Sequence, residues 1–208
     1  GPRLGIRIVG PHLRPIEVPV GPGAAVGGVR FAPDAAGRVL GLVPTDWPDR
    51  LDAADGHLPD LSAAVAACDT TDTGRNALVT MLTDRVARAP APDPLVRAAL
   101  GAIDEARSDL RVTDLAASLG VSPRTLQRRF RAATGLAPKP YARVRRFLRA
   151  VGARVLDPSD ADAWGRIAAD FGYADQAHLV REGRALTDLP PTEFAATMAP
   201  VRHVDVRP

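Results

Sequence analysis

A short pattern that occurs twice restricts this chain to few folds. An alanine stands four residues before a glycine at Ala116 and Gly120, and the same pair returns 52 residues later at Ala168 and Gly172. The small alanine lets a second helix cross the first closely, and the glycine permits the tight turn between them. Because an internal duplication is hard to obtain by chance, the sequence predicts two helix-turn-helix units.

The first unit carries the signals of a helix, a tight turn and a second helix. We expect Thr113 to cap the first helix and Gly120 to take the left-handed turn. Ser122 and Pro123 are a favourable cap and first residue for the second helix. Helical spacing predicts the buried stripe of that helix to be Leu126, Phe130 and Ala133.

The opposite face of this second helix is basic. Rotation by about 100° per residue turns four side chains away from the buried stripe, namely Arg124, Gln127, Arg128 and Arg131. Arginine can donate two hydrogen bonds to guanine, and glutamine can pair with adenine, so this composition favours a recognition helix in the major groove. A helical hairpin with a solvated face is the alternative interpretation.

The second unit repeats the design with fewer charges. Asp175 is the expected cap, and Leu179 and Leu186 are the expected buried positions. The expected outward positions are Ala177, Val180, Arg181 and Arg184, with Gln176 and His178 on the flanks. A metal-binding or catalytic role for His178 is not expected, because no second ligand lies three or four residues further along the helix.

Gly183 breaks the repeat, because it occupies the position of Phe130 in the first unit. The missing large side chain predicts a hole in the core of the second unit, and a helical glycine costs about 1 kcal/mol relative to alanine. We expect either that Phe194 or Trp164 fills the hole or that the second unit is loosely held.

A long basic helix is predicted between the units, from Pro140 to Leu156. Its expected core stripe is Val144, Leu148, Val151 and Val155, and its basic positions are Arg143, Arg145, Arg146 and Arg149. From Leu115 to Leu156 the chain has ten basic residues and no Asp or Glu, a pattern that usually faces phosphates. A rigid helix of this kind would hold two recognition helices in successive major-groove segments, about 34 Å apart.

The N-terminal half has a different character. Short β-prone runs at 6–9, 16–20 and 26–31 predict a strand-and-turn sheet. After the sheet we expect a short helix over 34–41, a loop over 43–58, and helices near 59–67 and 74–89. The Pro-rich segment 89–94 is the expected linker, and a further helix is expected from Pro94 to about Arg107. The start at Gly1 and Pro2, without an initiator Met, is compatible with a tag-cleavage scar, and the sequence leaves open whether natural residues precede it.

The predicted fold class is α+β. A small β-rich N-terminal remnant with two helices precedes an all-α domain of two helix-turn-helix units joined by a long helix. The expected domains are a regulatory or dimerisation region at 1–88, the linker at 89–94, and the DNA-binding domain at 95–200.

Composition disfavours several classes of protein. The net charge is +3, and the basic excess lies in the second half of the chain. No run approaches the roughly 18 apolar residues of a membrane helix, and the start lacks a signal-peptide layout, so we expect a cytoplasmic protein. Cys68 is the single cysteine, so a cysteine-based metal site is not expected. The sequence shows no paired carboxylates and no activated nucleophile, so we expect no enzymatic activity, and we expect no cofactor.

Several segments resemble the AraC/XylS family of bacterial transcription regulators. The matching segments are 115–122, 126–130 with Thr134 and Gly135, 168–172, 175–179 and 189–194, within a region from about Asp93 to Ala199. The resemblance implies a DNA-binding domain with two helix-turn-helix units joined by a long helix. The chain departs from the family at Gly183, where an aromatic residue is usual, and at Asp188, where glycine commonly follows threonine.

The resemblance also implies which residues contact DNA. By position, the base-contacting residues correspond to Arg124, Gln127, Arg128, Gln176, Ala177, His178 and Arg181. The basic faces and the helix cap add predicted phosphate contacts at Ser122, Arg129, Arg131, Arg143, Arg145, Arg146, Arg149 and Arg184.

The N-terminal segment 26–33 looks like the end of a cupin-like regulatory domain found in some members of the family. Double-stranded DNA is the expected partner, and no membrane partner is expected. RNA polymerase, an unidentified small-molecule effector, and a second copy of the chain bound through helices over 59–89 are further candidates implied by the resemblance.

The leading prediction is a sequence-specific DNA-binding transcription regulator. The alternative is an adaptor or anti-regulator that keeps the AraC-type fold, acts through protein partners and binds DNA weakly. A DNA alkyl-repair protein with the same type of domain would need several cysteines, and the chain has one.

Overall fold

The computed structural model describes residues 5–16, 27–68, 71–156 and 163–198. The described part is mostly helical with one small sheet, which confirms the α+β class. The strands are β1 (Arg7–Val9) and β2 (Leu51–Ala53), and the helices are α1 (Ala36–Leu40), α2 (Pro59–Ala66), α3 (Thr71–Arg88), α4 (Pro94–Glu105), α5 (Val112–Ser118), α6 (Pro123–Thr134), α7 (Pro138–Leu156), α8 (Ala163–Asp170), α9 (Gln176–Thr187) and α10 (Pro191–Met198). None of these helices is long and apolar enough to cross a membrane.

The N-terminal sheet has two antiparallel strands among the described residues, with Ile8 opposite Asp52. The strand predicted at 6–9 is confirmed, but β2 lies within the segment predicted as a loop. β2 has only three residues between 3₁₀ turns over 44–46 and 54–56, so it shows no extended hydrophobic alternation. Residues 27–31 are not a strand. The strand predicted at 16–20 lies almost entirely outside the described residues.

A small apolar core holds the N-terminal part together. Ala54 and Leu58 pack with Leu61 of α2 and Leu82 of α3, and all four are buried. Ile8 of the sheet also contacts this cluster. The short sheet is therefore anchored by the helices that follow it.

The two turns of the helix-turn-helix units have the same backbone geometry. Gly120 and Gly172 take φ values of 67° and 68°, in the left-handed region that glycine adopts without steric cost. After each glycine, a backbone N–H donates back to the small alanine: Val121 to Ala116 at 3.0 Å, and Tyr173 to Ala168 at 2.8 Å. The repeat predicted from the alanine and glycine spacing is confirmed at this level.

The second helices of the two units also end alike. The hydroxyl of Thr134 donates to the carbonyl of Phe130 at 2.9 Å, and the hydroxyl of Thr187 donates to the carbonyl of Gly183 at 2.9 Å. In each unit the threonine oxygen also accepts a hydrogen bond from the N–H two residues later. The cap predicted at Thr113 is wrong, because α5 begins at Val112 after Arg111, and the Thr113 hydroxyl contacts Asp114 instead.

The long helix α7 belongs to both units. Near its start, Tyr141 and Ala142 complete the core of the first unit, which contains Leu126 and Phe130. Further along, Phe147 and Val151 enter the core of the second unit.

The predicted core stripe of α7 is only partly right. Val151 is buried, but Val144, Leu148 and Val155 are half-buried. The buried apolar residues that the pattern missed are Tyr141, Ala142, Phe147 and Ala150. A single-stripe prediction assumes one packing partner, whereas α7 packs against different helices along its length.

The hole expected at Gly183 does not exist. A Cβ placed on Gly183 would lie 2.9 Å from Cγ of Pro191 and 3.0 Å from Cε2 of Phe147. Both neighbours are fully buried, so a side chain of α7 and the first residue of α10 occupy the space that Phe130 fills in the first unit. The filling residues are thus neither Trp164 nor Phe194, although the Phe194 ring does pack against Phe147 at 5.6 Å between centroids.

Candidate nucleic-acid interface

The first candidate recognition helix, α6, is fixed at both ends. Ser122 caps its start, with the side-chain oxygen accepting a hydrogen bond from the N–H of Thr125 at 3.2 Å, and Pro123 is the first helical residue. Leu126 and Phe130 are fully buried. Gly135 ends the helix in the left-handed conformation. These local signals determine which face of α6 remains outside.

Four of the predicted DNA-contacting side chains lie together on the exposed face of α6: Arg124, Gln127, Arg128 and Arg131. None of them has a hydrogen-bond or ion-pair partner within the part of the chain that the structure describes. Three guanidinium groups are therefore available to an external anion beside one amide, as expected from the helical spacing.

Arg129, the neighbour of Arg128, is half-buried and paired within the protein. Its guanidinium pairs with the carboxylate of Asp93, with 2.7 Å between Nε and Oδ2. Asp93 is also the cap of α4, accepting hydrogen bonds from the N–H groups of Leu95 and Val96. The pairing with Arg129 holds the pKa of the Asp93 carboxyl below its usual range. Arg129 thus links the start of α4 to α6, and its predicted phosphate contact stays a prediction.

The second candidate recognition helix, α9, has the same kind of start. Asp175 is the cap, and its carboxylate accepts a hydrogen bond from the N–H of His178 at 2.6 Å. Leu179 and Leu186 are buried as predicted. The exposed predicted side chains are Gln176, Ala177, Arg181 and Arg184, and none of them has a described intramolecular partner.

His178 is placed differently from its neighbours on α9. It is half-buried, and its ring meets the ring of Tyr173 edge to face, with 5.3 Å between centroids. Its Nδ1 accepts a long hydrogen bond, 3.4 Å, from the N–H of Ala174. The imidazole therefore packs on the turn of the second unit, which restricts its reach towards a base edge.

The arginines of α7 are used within the protein. Arg145 donates to Asp104 at 2.7 Å, and Arg149 donates to the backbone carbonyl of Ala106 at 2.6 Å. Asp104 lies in the last turn of α4 and Ala106 directly follows that helix, so these arginines fasten α7 to the first unit. The expectation that they face phosphates is not supported by this geometry.

The other two predicted phosphate contacts on α7 meet a buried carboxylate on α9. Arg143 donates to Glu182 at 2.9 Å, and Arg146, which is 8% exposed, donates to the other carboxylate oxygen at 3.3 Å. The guanidinium of Arg146 also lies 4.2 Å from the centroid of the Tyr173 ring. Burial raises the pKa of Tyr173 to about 12, so its hydroxyl stays neutral.

The acidic partners of these basic residues were not evident from the stretch Leu115 to Leu156, because they lie outside it in sequence. Asp93, Asp104, Asp109 and Glu182 all lie before Leu115 or after Leu156, yet each pairs with a base from within that stretch. Once these pairs are formed, the unpaired positive charge of α6 and α9 remains on their exposed faces. Glu182 could have been found by searching α9 for an acid that faces α7. The pairs made by Asp93, Asp104 and Asp109 could not have been found in this way.

Comparison with known proteins agrees with this geometry. Residues 115–197 match a family model described as a helix-turn-helix domain. Among solved structures, the chain is similar to a transcriptional regulator from Chromobacterium violaceum of the AraC-type DNA-binding domain-containing proteins, with 25% identity, a TM-score of 0.45, and coverage of 51% of this chain and 94% of that one. Curated proteins gave no match.

The chain therefore carries a helix-turn-helix DNA-binding domain, the class found in transcription regulators. The matched residues run from Leu115 of α5 into α10 and so span the two units.

Proposed function

We propose that this protein is a transcription regulator that reads double-stranded DNA with α6 and α9 in successive major-groove segments on one side of the duplex. The observation that carries the proposal is that the arginines fall into two groups, unpaired and paired. Those on the exposed faces of the two equivalent helices have no described partner, whereas those on α7 are paired within the protein. Free guanidinium groups on an inserted helix can pair with guanine and with phosphate.

On α6 the proposed base-contacting residues are the same as those predicted from the sequence. On α9 one predicted residue, His178, is no longer proposed to contact a base. Arg124, Gln127 and Arg128 contact bases from the first unit. In the second unit Gln176, Ala177 and Arg181 do so, and His178 contributes mainly by packing. The first unit carries more hydrogen-bonding groups, so it supplies more of the sequence preference.

The proposed phosphate contacts are fewer than the sequence predicted. Ser122 at the start of α6, Arg131 and Arg184 remain, because each lies on or beside an exposed helix face. Arg129, Arg143, Arg145, Arg146 and Arg149 are assigned to the internal framework that holds the units in register.

The proposed division of the chain follows the same framework. Residues 1–88 form a regulatory region, 89–94 a linker, and 95–200 the DNA-binding domain. Asp93 caps α4 and pairs with α6, so the end of the linker is joined to the first unit.

Selection from randomised duplex DNA at physiological salt tests the proposal. We expect a bipartite motif with its two parts about one helical turn apart, and affinity that falls steeply with added salt. A single short motif would mean that only α6 reads bases. No enrichment and no binding at low salt would contradict the proposal and favour an adaptor that acts through protein partners.

A further inference from the structure

The two helix-turn-helix units touch each other directly, beside the helix that they share. The contact joins the loop after α4 (residues 106–109) to the turn of the second unit (residues 171–173). A Cβ placed on Gly172 would lie 2.6 Å from Cα of Ser108 and 3.3 Å from the backbone oxygen of Arg107. A side chain at position 172 would therefore push the loop away, so the glycine permits this close approach.

Arg149 of α7 connects the same loop and turn. Its guanidinium donates to the backbone carbonyl of Ala106 at 2.6 Å and lies 5.4 Å from the centroid of the Phe171 ring. A guanidinium is attracted both by a carbonyl oxygen and by the face of an aromatic ring. Arg149 therefore holds the loop and the turn against one side of α7.

Asp109 adds a connection through charge. Its carboxylate accepts hydrogen bonds from Nζ of Lys139 at 2.6 and 2.7 Å, and Oδ1 lies 3.7 Å from Nη1 of Arg146. Arg146 in turn pairs with Glu182 of α9 and lies over the ring of Tyr173 in the second turn. A carboxylate of the first unit and a carboxylate of the second unit thus share one buried guanidinium.

The turn of the first unit is open where the turn of the second unit is covered. Gly120 is flanked by Leu119 and Val121, whereas Gly172 is flanked by two aromatic residues. The two glycines have nearly the same φ, 67° and 68°. A Cβ placed on Gly120 would meet no atom within 4 Å among the described residues. The second turn therefore carries a contact beyond what its backbone conformation needs.

A contact beside α7 restricts a motion that the shared helix alone permits. A shared helix fixes the separation of the two units along its axis, whereas a further contact away from the axis opposes rotation of one unit about the helix. Such a rotation would change the angle between α6 and α9. Because the duplex turns by about 34–36° for each base pair, from roughly 10–10.5 bp per turn, that angle determines which half-site spacing fits.

We propose that the contact between residues 106–109 and 171–173 fixes the relative orientation of α6 and α9, and thereby the spacing at which the protein reads its two half-sites. Ser108, Asp109 and Gly172 are positioning residues that act through the two recognition helices. The statement about half-site spacing rests on the function proposed above. The statement about orientation does not, because it concerns the protein without DNA.

Orientation is measured in the full chain without DNA, by double electron–electron resonance between two nitroxide labels. The labels are attached at Arg131→Cys on α6 and Arg184→Cys on α9, in a Cys68→Ser background that leaves no other thiol. Both labelled positions are exposed. We expect one narrow distribution of distances for the chain with an intact contact.

Two variants disturb the contact, and each has a matched control. Gly172→Ala should broaden or shift the distribution, because its Cβ would displace the backbone of Ser108. Gly120→Ala has the same left-handed backbone cost without the contact and should leave the distribution unchanged. Asp109→Asn should also broaden it, whereas Asp104→Asn, which removes an ion pair within the first unit, should not. If Gly172→Ala does not fold, Asp109→Asn decides.

Half-site spacing is tested by binding to the selected bipartite site and to versions with one base pair added or removed between its parts. The wild type and both controls should lose about tenfold or more in affinity, and the two contact variants less than about threefold. Distance distributions or spacing dependences that match the wild type in both contact variants would overturn the proposal, as would equal broadening in the controls. If the wild type selects no bipartite site, the proposed function fails, and the distance distributions alone support or overturn the orientation.

Discussion

Glu182 of α9 and Arg146 of α7 form a buried ion pair, with 3.3 Å between Oε1 and Nη2 and both side chains 9% exposed. Arg143 donates to the second oxygen of the same carboxylate, and the Arg146 guanidinium lies over the Tyr173 ring. Helix α9 is thereby joined to α7, the helix that completes the core of the first unit. This pair constrains the relative orientation of the two units.

Replacing Glu182 by alanine should destabilise the protein by about 3 kcal/mol, because Arg146 would stay buried with only the more distant carboxylate of Asp109, at 3.7 Å, as an ionic partner. The free energy of unfolding in urea measures this change. Glu193→Ala, at an exposed position on α10, is the matched control and should change stability by less than about 0.5 kcal/mol. Similar losses in the two variants would show that the buried pair has no special role.

Enlarging Gly183 should destabilise the second unit, because Phe147 and Pro191 already fill its neighbourhood. Gly183→Phe is expected to overpack the core, which should cost about 1–3 kcal/mol or more of unfolding free energy and so lower the melting temperature strongly. Gly183→Ala should gain little, since its Cβ would meet Pro191 at 2.9 Å.

The control for that substitution is Gly101→Ala in α4. Gly101 is exposed and has open space around it, so alanine should stabilise the protein by about 1 kcal/mol through helix propensity. A rise in melting temperature for Gly183→Phe would mean that a real hole exists at this position.

Asp93 should contribute to stability in two separable ways. Asp93→Asn keeps a good helix cap but removes the ion pair with Arg129, whereas Asp93→Ala removes both and should cost about 1 kcal/mol more. Thermal melting of the two variants compares these effects. Equal melting temperatures would show that the cap contributes nothing.

The same carboxyl predicts a pH dependence. Its folded pKa is lowered, chiefly by the hydrogen bond from Arg129, so its stabilisation is present above the unfolded pKa of about 3.9 and is lost as the pH falls through the lower folded value. Melting temperatures between pH 7 and pH 2 should therefore converge for the wild type and Asp93→Asn at the acid end. A constant difference down to the lowest pH would contradict this.

Arg128 and Arg129 are adjacent in sequence but should behave differently on substitution. Arg128→Ala should weaken binding to the preferred sequence by about 1–3 kcal/mol and relax base preference in one half-site, with unchanged thermal stability. Arg129→Ala should lower the melting temperature, because it removes the partner of Asp93, and should leave base preference unaltered. Binding to the selected site and to single-base variants of it, together with melting curves, separates the two. Identical effects on specificity would refute the assignment of the two side chains.

Asp188→Gly should stabilise the end of α9. Asp188 has φ 60°, a left-handed conformation that glycine adopts more easily, and the equivalent position in the first unit is Gly135. A gain of about 0.5–1 kcal/mol is expected in urea unfolding. Asp170→Gly, within the end of α8, is the control and should give no gain. A loss for Asp188→Gly would indicate that the Asp188 side chain itself stabilises the turn.

Much of the candidate interface could be predicted from the sequence because its signals are local. The caps at Ser122 and Asp175 and the left-handed turns at Gly120 and Gly172 depend on residues within a few positions of one another. The exposed face of α6 follows from helical periodicity once Leu126 and Phe130 are known to be buried.

The tertiary structure alone decided which arginines are free. Arg128 and Arg129 have the same charge and lie side by side, yet a carboxylate 36 residues away pairs with one of them only. The filling of the space at Gly183 was decided in the same way, by Phe147 from α7 and Pro191 from α10. Local periodicity assigns a side chain to a helix face, but its partner depends on how distant helices pack, and that information is not contained in any short segment.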